Sequence, residues 1–424
     1  MSHILFGGSN RPGLAAIRAA MQLGHEATFL VTPGMWPMFS DEEAKEILAG
    51  ATVVDVPSFK DACELTKVLD RIHAHKPIDA ALTVFEPAVL SLAEACRSSR
   101  IRATSVEAVR AARDKARCRE ILNLAGLMQI PFRRIRNSDE AIRFADEAGY
   151  PIVLKPNNGL LSMLVATVDN ADEIDAYFSA SIVEGTKLPQ AVTENIEVGA
   201  DLVAEKYIRG ELHSVEVAMT VEGPTFFVLS RRKRDSLNDS IELGSTMPGT
   251  FESAVTDRAF TYVGRILSAL GFDRGIFHVE VIIDRDGLPH LVEVNPRLMG
   301  GTSPSLYNLV SGRDVFSDLI RVHLDQPISP LAPISGAVAS RVIGAATDWR
   351  VRDDLPADWI APLLPQLAYH KINLVAGQSL PKMSHNMHSL GQFQVRAKTP
   401  EQADIIANDL IDKISSITGV PLCK

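Results

Sequence analysis

Along Leu291–Gly301, LVEVNPRLMGG, an apolar strand pattern carries Glu293, Asn295 and Arg297 at alternate positions, then breaks at Pro296 and a Gly pair. Residues two apart on a strand share a face. A carboxylate, an amide and a guanidinium therefore point the same way if the strand persists past Pro296. Just upstream, FHVEVII sets Glu280 between valines, and the turn RDG pairs the two segments as a hairpin. Two carboxylates on adjacent strands repel unless a cation lies between them. Mg²⁺ takes carboxylate oxygens and commonly bridges to nucleotide phosphates. Asn295 could complete such a shell, and Arg297 could stabilise charge on a transferring phosphoryl group. The same alternation also fits an exposed sheet face.

Other segments offer weaker chemistry. Lys155 ends the apolar run in PIVLKPNNG, beside Pro and a Gly turn, where backbone could cradle phosphate. It also fits an ordinary strand end. Lys115 lies in the charged helical stretch ARDKARCRE. In LVAEKYIRGELHSVEV, Glu205 and Lys206 interrupt an apolar strand that resumes at Tyr207 and Ile208. An adenine needs an apolar slot with a few hydrogen-bonding groups, although a plain amphipathic hairpin reads the same way. The basic run SRRKRD, Ser230–Asp235, is expected to be a solvated face. The alternative is that Arg231 or Lys233 meets phosphates or a substrate carboxylate. Gly300–Gly301 is either a nest for a carboxylate or oxyanion or a tight turn. GGSNRPG after the first strand departs from G-x-G-x-x-G and reads as a substrate-side loop or a turn. The histidines, His3, His25, His73 and His75 among them, have no ligand spacing.

These residues need a scaffold, and three rhythms supply it. HILFGG, LAAIRAAMQLG, EATFLVT, the helix Cys63–His75 and DAALTVF alternate strand and helix, which predicts a parallel βαβ sheet. Ligands of such sheets gather at the carboxyl ends of strands. From about Ser105, the long helical stretch SVEAVRAARDKARCREILNLAGL leads into strands and helices of an α+β region. After the Pro-rich QPISPLAPISG come SGAVASRVIGAA, GQFQVRAK and the helix PEQADIIANDLIDKISSI. A chain of 424 residues exceeds one ordinary core. With 46% hydrophobic and 22% charged residues the composition is that of a soluble globular protein. The net charge of −9 argues against a nucleic-acid partner. The four cysteines have no CxxC or metal spacing and read as free thiols. The opening MSHILFGGSNRPG lacks a signal-peptide layout and no apolar run is long enough for a bilayer, so a cytoplasmic enzyme without a membrane partner is expected.

The order of Lys115, Lys155 before a Gly-containing turn, E-x-Y-I-x-G, then Glu280 with Glu293-x-Asn295-x-Arg297 resembles the ATP-grasp superfamily over roughly 112–324. The segments IELGSTMPG and NPRLMGGTSPSLYNLVSGRD are similar to those of L-amino-acid ligases, which join two amino acids, or a related acid and amine. The resemblance implies a preATP-grasp α/β domain over 1–111 and a two-lobed α+β ATP-grasp domain over 112–325, with a lid lobe at about 120–200. A small C-terminal α+β domain over 326–424 completes the chain. ATP and Mg²⁺, with Mn²⁺ as a second candidate, are the implied cofactors. Lys115 and Lys155 would contact phosphates. Glu205, Lys206 and the backbone around Tyr207 and Ile208 would hold adenine, and Glu211 the ribose. Gly159 and Ser162 belong to a lid loop in which leucines stand where more glycine is usual. Glu280, Glu293 and Asn295 would hold the metal, and Arg297 would face the acyl phosphate. Glu242 and Ser245, the latter where a histidine is often found, would line the acceptor pocket, and Gly300 and Gly301 would also meet substrate.

The implied activity is an ATP-dependent carboxylate–amine ligase that works through an acyl phosphate and releases ADP and phosphate, with small-molecule acid and amine partners. Dimers are common among similar enzymes, so a homodimer is an expectation. Two rivals stand beside it: a carboxylase-type or purine-pathway ATP-grasp ligase, and a non-catalytic nucleotide-binding protein.

Overall fold

The computed structural model describes residues 1–128, 130–158, 164–187, 201–236, 241–385 and 388–424, with side chains of 182–187 omitted. Four strands, β1 (His3–Gly7), β2 (Glu26–Val31), β3 (Thr52–Asp55) and β4 (Ala80–Leu82), form a parallel sheet in the order β3-β2-β1-β4. Helices Leu14–Gln22, Glu42–Ala49 and Ala62–His75 connect them, as the alternating pattern requires. β1 is buried along its whole length, consistent with a strand covered on both faces.

The helical stretch after Ser105 is two helices, Val106–Arg113 and Lys115–Leu124, rather than one. Asp114 breaks it. Its backbone is extended and its carboxylate accepts from the Arg117 amide at 2.8 Å, an N-cap that aspartate prefers to a helix interior. Lys115 therefore sits at the start of the second helix. There its amide donates to the Asn157 carbonyl at 3.2 Å, and the Ala116 amide to Asn157 Oδ1 at 2.8 Å.

β5 (Phe132–Ile135), β6 (Ile152–Pro156), β7 (Ala166–Val168) and β8 (Leu202–Lys206) make an antiparallel sheet in the order β5-β8-β6-β7, backed by helices Ser138–Ala148 and Ala171–Lys187. It has its own core around Ile135, Phe144, Ile152 and Leu202. β9 (Gly210–Thr220), β10 (Gly223–Arg234), β11 (Glu242–Met247), β12 (Gly275–Asp284) and β13 (Pro289–Asn295) begin a larger antiparallel sheet. β14 (Ala337–Ile343) extends it, followed by the short strands β15 (Trp349–Arg350), β16 (Tyr369–Ile372) and β17 (Ser379–Leu380), then β18 (Gly391–Ala397). The order is β13-β12-β9-β10-β11-β14-β18-β16, while β15 and β17 pair separately. One sheet thus continues across the connection at 325/326, although the last segment keeps an apolar cluster of its own with helix Pro400–Thr418.

On one face of this sheet Val215, Val217, Phe277, Val279 and Val281 pack with helix Ser253–Leu270. The alternate residues of β9 and β12, Glu216, His278 and Glu280, point to the other face. Register shifts between Glu280 and Val281. This bulge lets Leu291 and Val294, three apart, both reach the core while Glu293 faces Glu280 across the ladder.

Candidate active site

A cavity of about 500 Å³ opens where the two sheets of the first and middle segments meet. Its lining includes Glu280, Glu293 and Asn295 from the β12–β13 hairpin, with Arg297 just beyond it. Glu242, Ser245, Gly300 and Gly301 line it too, so eight of the expected site residues share one space. β13 ends at Asn295, but the Arg297 carbonyl still accepts from the His278 amide at 3.1 Å, which keeps Arg297 on the cavity. Asn10 and the run Val84–Pro87 complete the wall. They follow β1 and β4, at the carboxyl ends of parallel strands. The GGSNRPG loop thus reaches the cavity through Asn10.

The charges are closely paired. Glu280 and Glu293 oppose each other in the ladder. Glu280 accepts from His278 Nε2 at 3.1 Å, and His278 Nδ1 lies 2.6 Å from Glu216, which is fully buried. Burial opposes charge on His278, but Glu216 and Glu280 overcome it and raise its pKa to about 9. Burial likewise opposes ionisation of Glu280, yet His278, Arg232 and Arg297 bring it down to about 2. Lys115 Nζ stands 3.3 Å from Glu293, and Asn295 Nδ2 donates to the same carboxylate at 3.1 Å. Glu86 approaches Arg297 Nε at 2.5 Å and takes Arg113 Nη1 at 2.7 Å. Arg297 also donates to the Leu298 carbonyl at 3.0 Å.

A second cluster lies behind the hairpin. Lys155 Nζ and Arg119 Nε bind the two oxygens of Glu205 at 2.6 and 2.8 Å. All three are buried. Burial pushes the Lys155 ammonium below its ordinary range; against burial, Arg119 and Lys155 hold the Glu205 carboxyl below its own. Arg119 Nη2 reaches the Leu291 and Val292 carbonyls at 3.2 and 2.5 Å, which ties β8 to the β12–β13 hairpin. Lys206 donates to the Gly149 and Tyr150 carbonyls at 2.9 and 3.0 Å, a contact that anchors backbone. The Tyr207 amide donates to the Pro151 carbonyl at 3.2 Å, and Ile208 follows in the link to β9. Glu211 is exposed near the start of β9. Gly159 and Ser162 lie outside the described residues.

Oxygen donors from two facing carboxylates and an amide, with cations set behind them, suit a hard divalent ion and a polyphosphate. Residues 148–305 match the family described as the ATP-grasp domain. That segment carries an ATP-grasp domain. Over 242 residues the chain is 27% identical to the carbamoyl phosphate synthase large chain of Pasteurella multocida, a match covering 55% of it and 21% of that protein. It is 24% identical over 282 residues to the alanine–anticapsin ligase of Bacillus amyloliquefaciens, covering 63% and 58%. The L-amino acid ligase of Bacillus licheniformis has the same fold, with a TM-score of 0.75 at 18% identity over 97% and 98% of the two chains. The chain spans between about a fifth and three-fifths of the length of those two curated relatives.

Sequence reasoning left out several residues that line the cavity or brace its walls: Arg119, Glu86, Glu216, His278 and Arg232. The basic run Ser230–Asp235 is corrected by the structure. It continues β10 rather than forming a solvated face. Arg232 lines the cavity and pairs with Glu242, while Arg231 pairs with Asp404. The reason is strand alternation, which sends successive side chains to opposite faces.

Proposed function

We propose that the chain is an ATP-dependent carboxylate–amine ligase that joins an amino acid or related acid to an amino acid. The observation that carries this reading is the facing pair Glu280–Glu293, which shares one cavity with Asn295, Arg297 and the Glu242–Ser245 strand. Like charges opposed across a ladder are destabilising unless neutralised, and the donor set is hard oxygen. Mg²⁺ held by Glu280, Glu293 and Asn295 would supply charge neutralisation at the transferring phosphoryl group.

The residues then divide the work. Lys155 and Lys115 would bind nucleotide phosphates. Arg297, oriented by Glu86, would neutralise the oxygens of the acyl phosphate. A carboxylate oxygen of the acid attacks the γ-phosphorus, the bond to the bridging oxygen of ADP breaks, and ADP departs. The amine nitrogen attacks the acyl carbon, phosphate leaves, and the nitrogen gives up a proton. The protein's task is positioning and charge balance.

Bicarbonate is the second reading, favoured by the shared fold of a biotin carboxylase domain solved with MgADP and bicarbonate, at 16% identity and a TM-score of 0.68. The cavity is larger than bicarbonate requires, and its wall extends to Phe85, Val342 and Gln392. Phosphate release with ATP and Mg²⁺ across amino-acid pairs, with product mass read out, tests the choice. Release that requires a pair of amino acids supports the ligase. Release that requires only bicarbonate supports the second reading. Tight ATP binding with no release under any condition overturns both.

A further inference from the structure

Three cations line the cavity among the described residues: His278, Arg297 and Arg232. His278 spends both ring nitrogens on Glu216 and Glu280. Arg297 spends its guanidinium on Glu86, the Leu298 carbonyl and Asn295. Arg232 engages Glu242 through Nη2, yet its Nε is buried with no hydrogen-bond partner. A buried donor left unmade is costly and calls for an explanation. Arg232 shares the wall with Ser245, Ser340 and Gln392, all polar and facing the same space.

We propose that Arg232 anchors the carboxylate of the acceptor amino acid, and that its ion pair with Glu242 opens to receive the two charged ends of that zwitterion. This rests on the ligase reading above. The exchange conserves charge: one buried pair is replaced by two, with guanidinium on carboxylate and Glu242 on ammonium. Neither partner is left buried and uncompensated. An acceptor whose carboxylate is blocked gives Arg232 no anion in return for Glu242, so it is rejected. The Arg232 fork suits a carboxylate geometrically.

The test compares the best amino-acid acceptor with its own carboxamide, using the full-length protein, ATP and Mg²⁺, by kcat/KM. Wild type is expected to prefer the free acid by about 10- to 100-fold, the range for one charged hydrogen-bonded contact. In Arg232→Met the preference falls to about 1, with the KM for ATP unchanged. Arg232→Lys retains part of it. A folded, active Arg232→Met that keeps the full preference overturns the proposal, as does a wild type that uses acid and amide equally. Absence of any amino-acid-dependent ADP release in wild type overturns the ligase reading itself, and the proposal with it. Should Arg232→Met fail to fold, wild-type thermal shifts with a non-hydrolysable ATP analogue and Mg²⁺ decide. Stabilisation by the free acid but not by the amide supports the anchor; equal shifts overturn it.

Discussion

Arg119 makes a demanding test of how the two antiparallel sheets are held together. It is fully buried, and it joins helix Lys115–Leu124 to Glu205 in β8 and to the Leu291 and Val292 carbonyls in β13. Arg119→Met keeps length and apolar volume but removes the charge. Breaking one partner of a buried ion pair costs about 3–5 kcal/mol. Glu205 retains Lys155 at 2.6 Å, so the lower end applies, about 3 kcal/mol. With a urea slope of about 2–3 kcal/mol/M, the midpoint should fall by roughly 1 M. Far-UV circular dichroism reads the midpoint, and amide exchange in β5–β8 reads where protection is lost. The KM for ATP should rise in parallel, since Glu205 and Lys155 lose the brace that aligns them. An unchanged urea midpoint together with unchanged exchange would refute the idea that this guanidinium braces the two sheets.

Three further outcomes are expected. Glu293→Gln and Arg297→Ala should each abolish substrate-dependent ADP release while leaving circular dichroism unchanged; near-normal turnover in either counts against the site assignment. Glu86→Gln keeps the shape but weakens the hold on Arg297, and kcat should fall by about 10- to 100-fold with a smaller change in the KM for ATP. His278 titrates at about 9 when folded, above the ordinary value near 6.5. Its ionic contribution is therefore complete below about pH 6.5 and is lost as pH rises through 9, a span worth about 3 kcal/mol. In metal-free protein that loss of thermal stability should vanish in His278→Gln.

The β12–β13 hairpin was legible because two simple periodicities coincide there: alternation within β13 and the RDG turn that sets Glu280 against Glu293. The bulge was not legible, since Val292 looks like any strand residue and only the packing of Leu291 and Val294 together reveals the extra position. His278 and Glu216 carried a readable signal, a polar group at every second place in an apolar strand. Arg119 carried none: its partners Glu205 and Leu291 are 86 and 172 residues away. The helix break at Asp114 was available from cap chemistry but was hidden by an unbroken charged helical pattern. Membership in the ATP-grasp fold was visible from motif order alone, and the α/β and α+β layers follow it.

The continuity of β11 with β14 carries a consequence for how such an enzyme can be re-engineered. Ser340, Val342 and Gln392 come from the final hundred residues, yet they stand in the same chamber as Glu280, Glu293 and Arg297. Truncation before β14 would strip that wall and bare the edge of β11, an invitation to aggregate. Changes to the cavity can instead proceed by point substitutions on β14 and β18, with the β12–β13 hairpin left untouched.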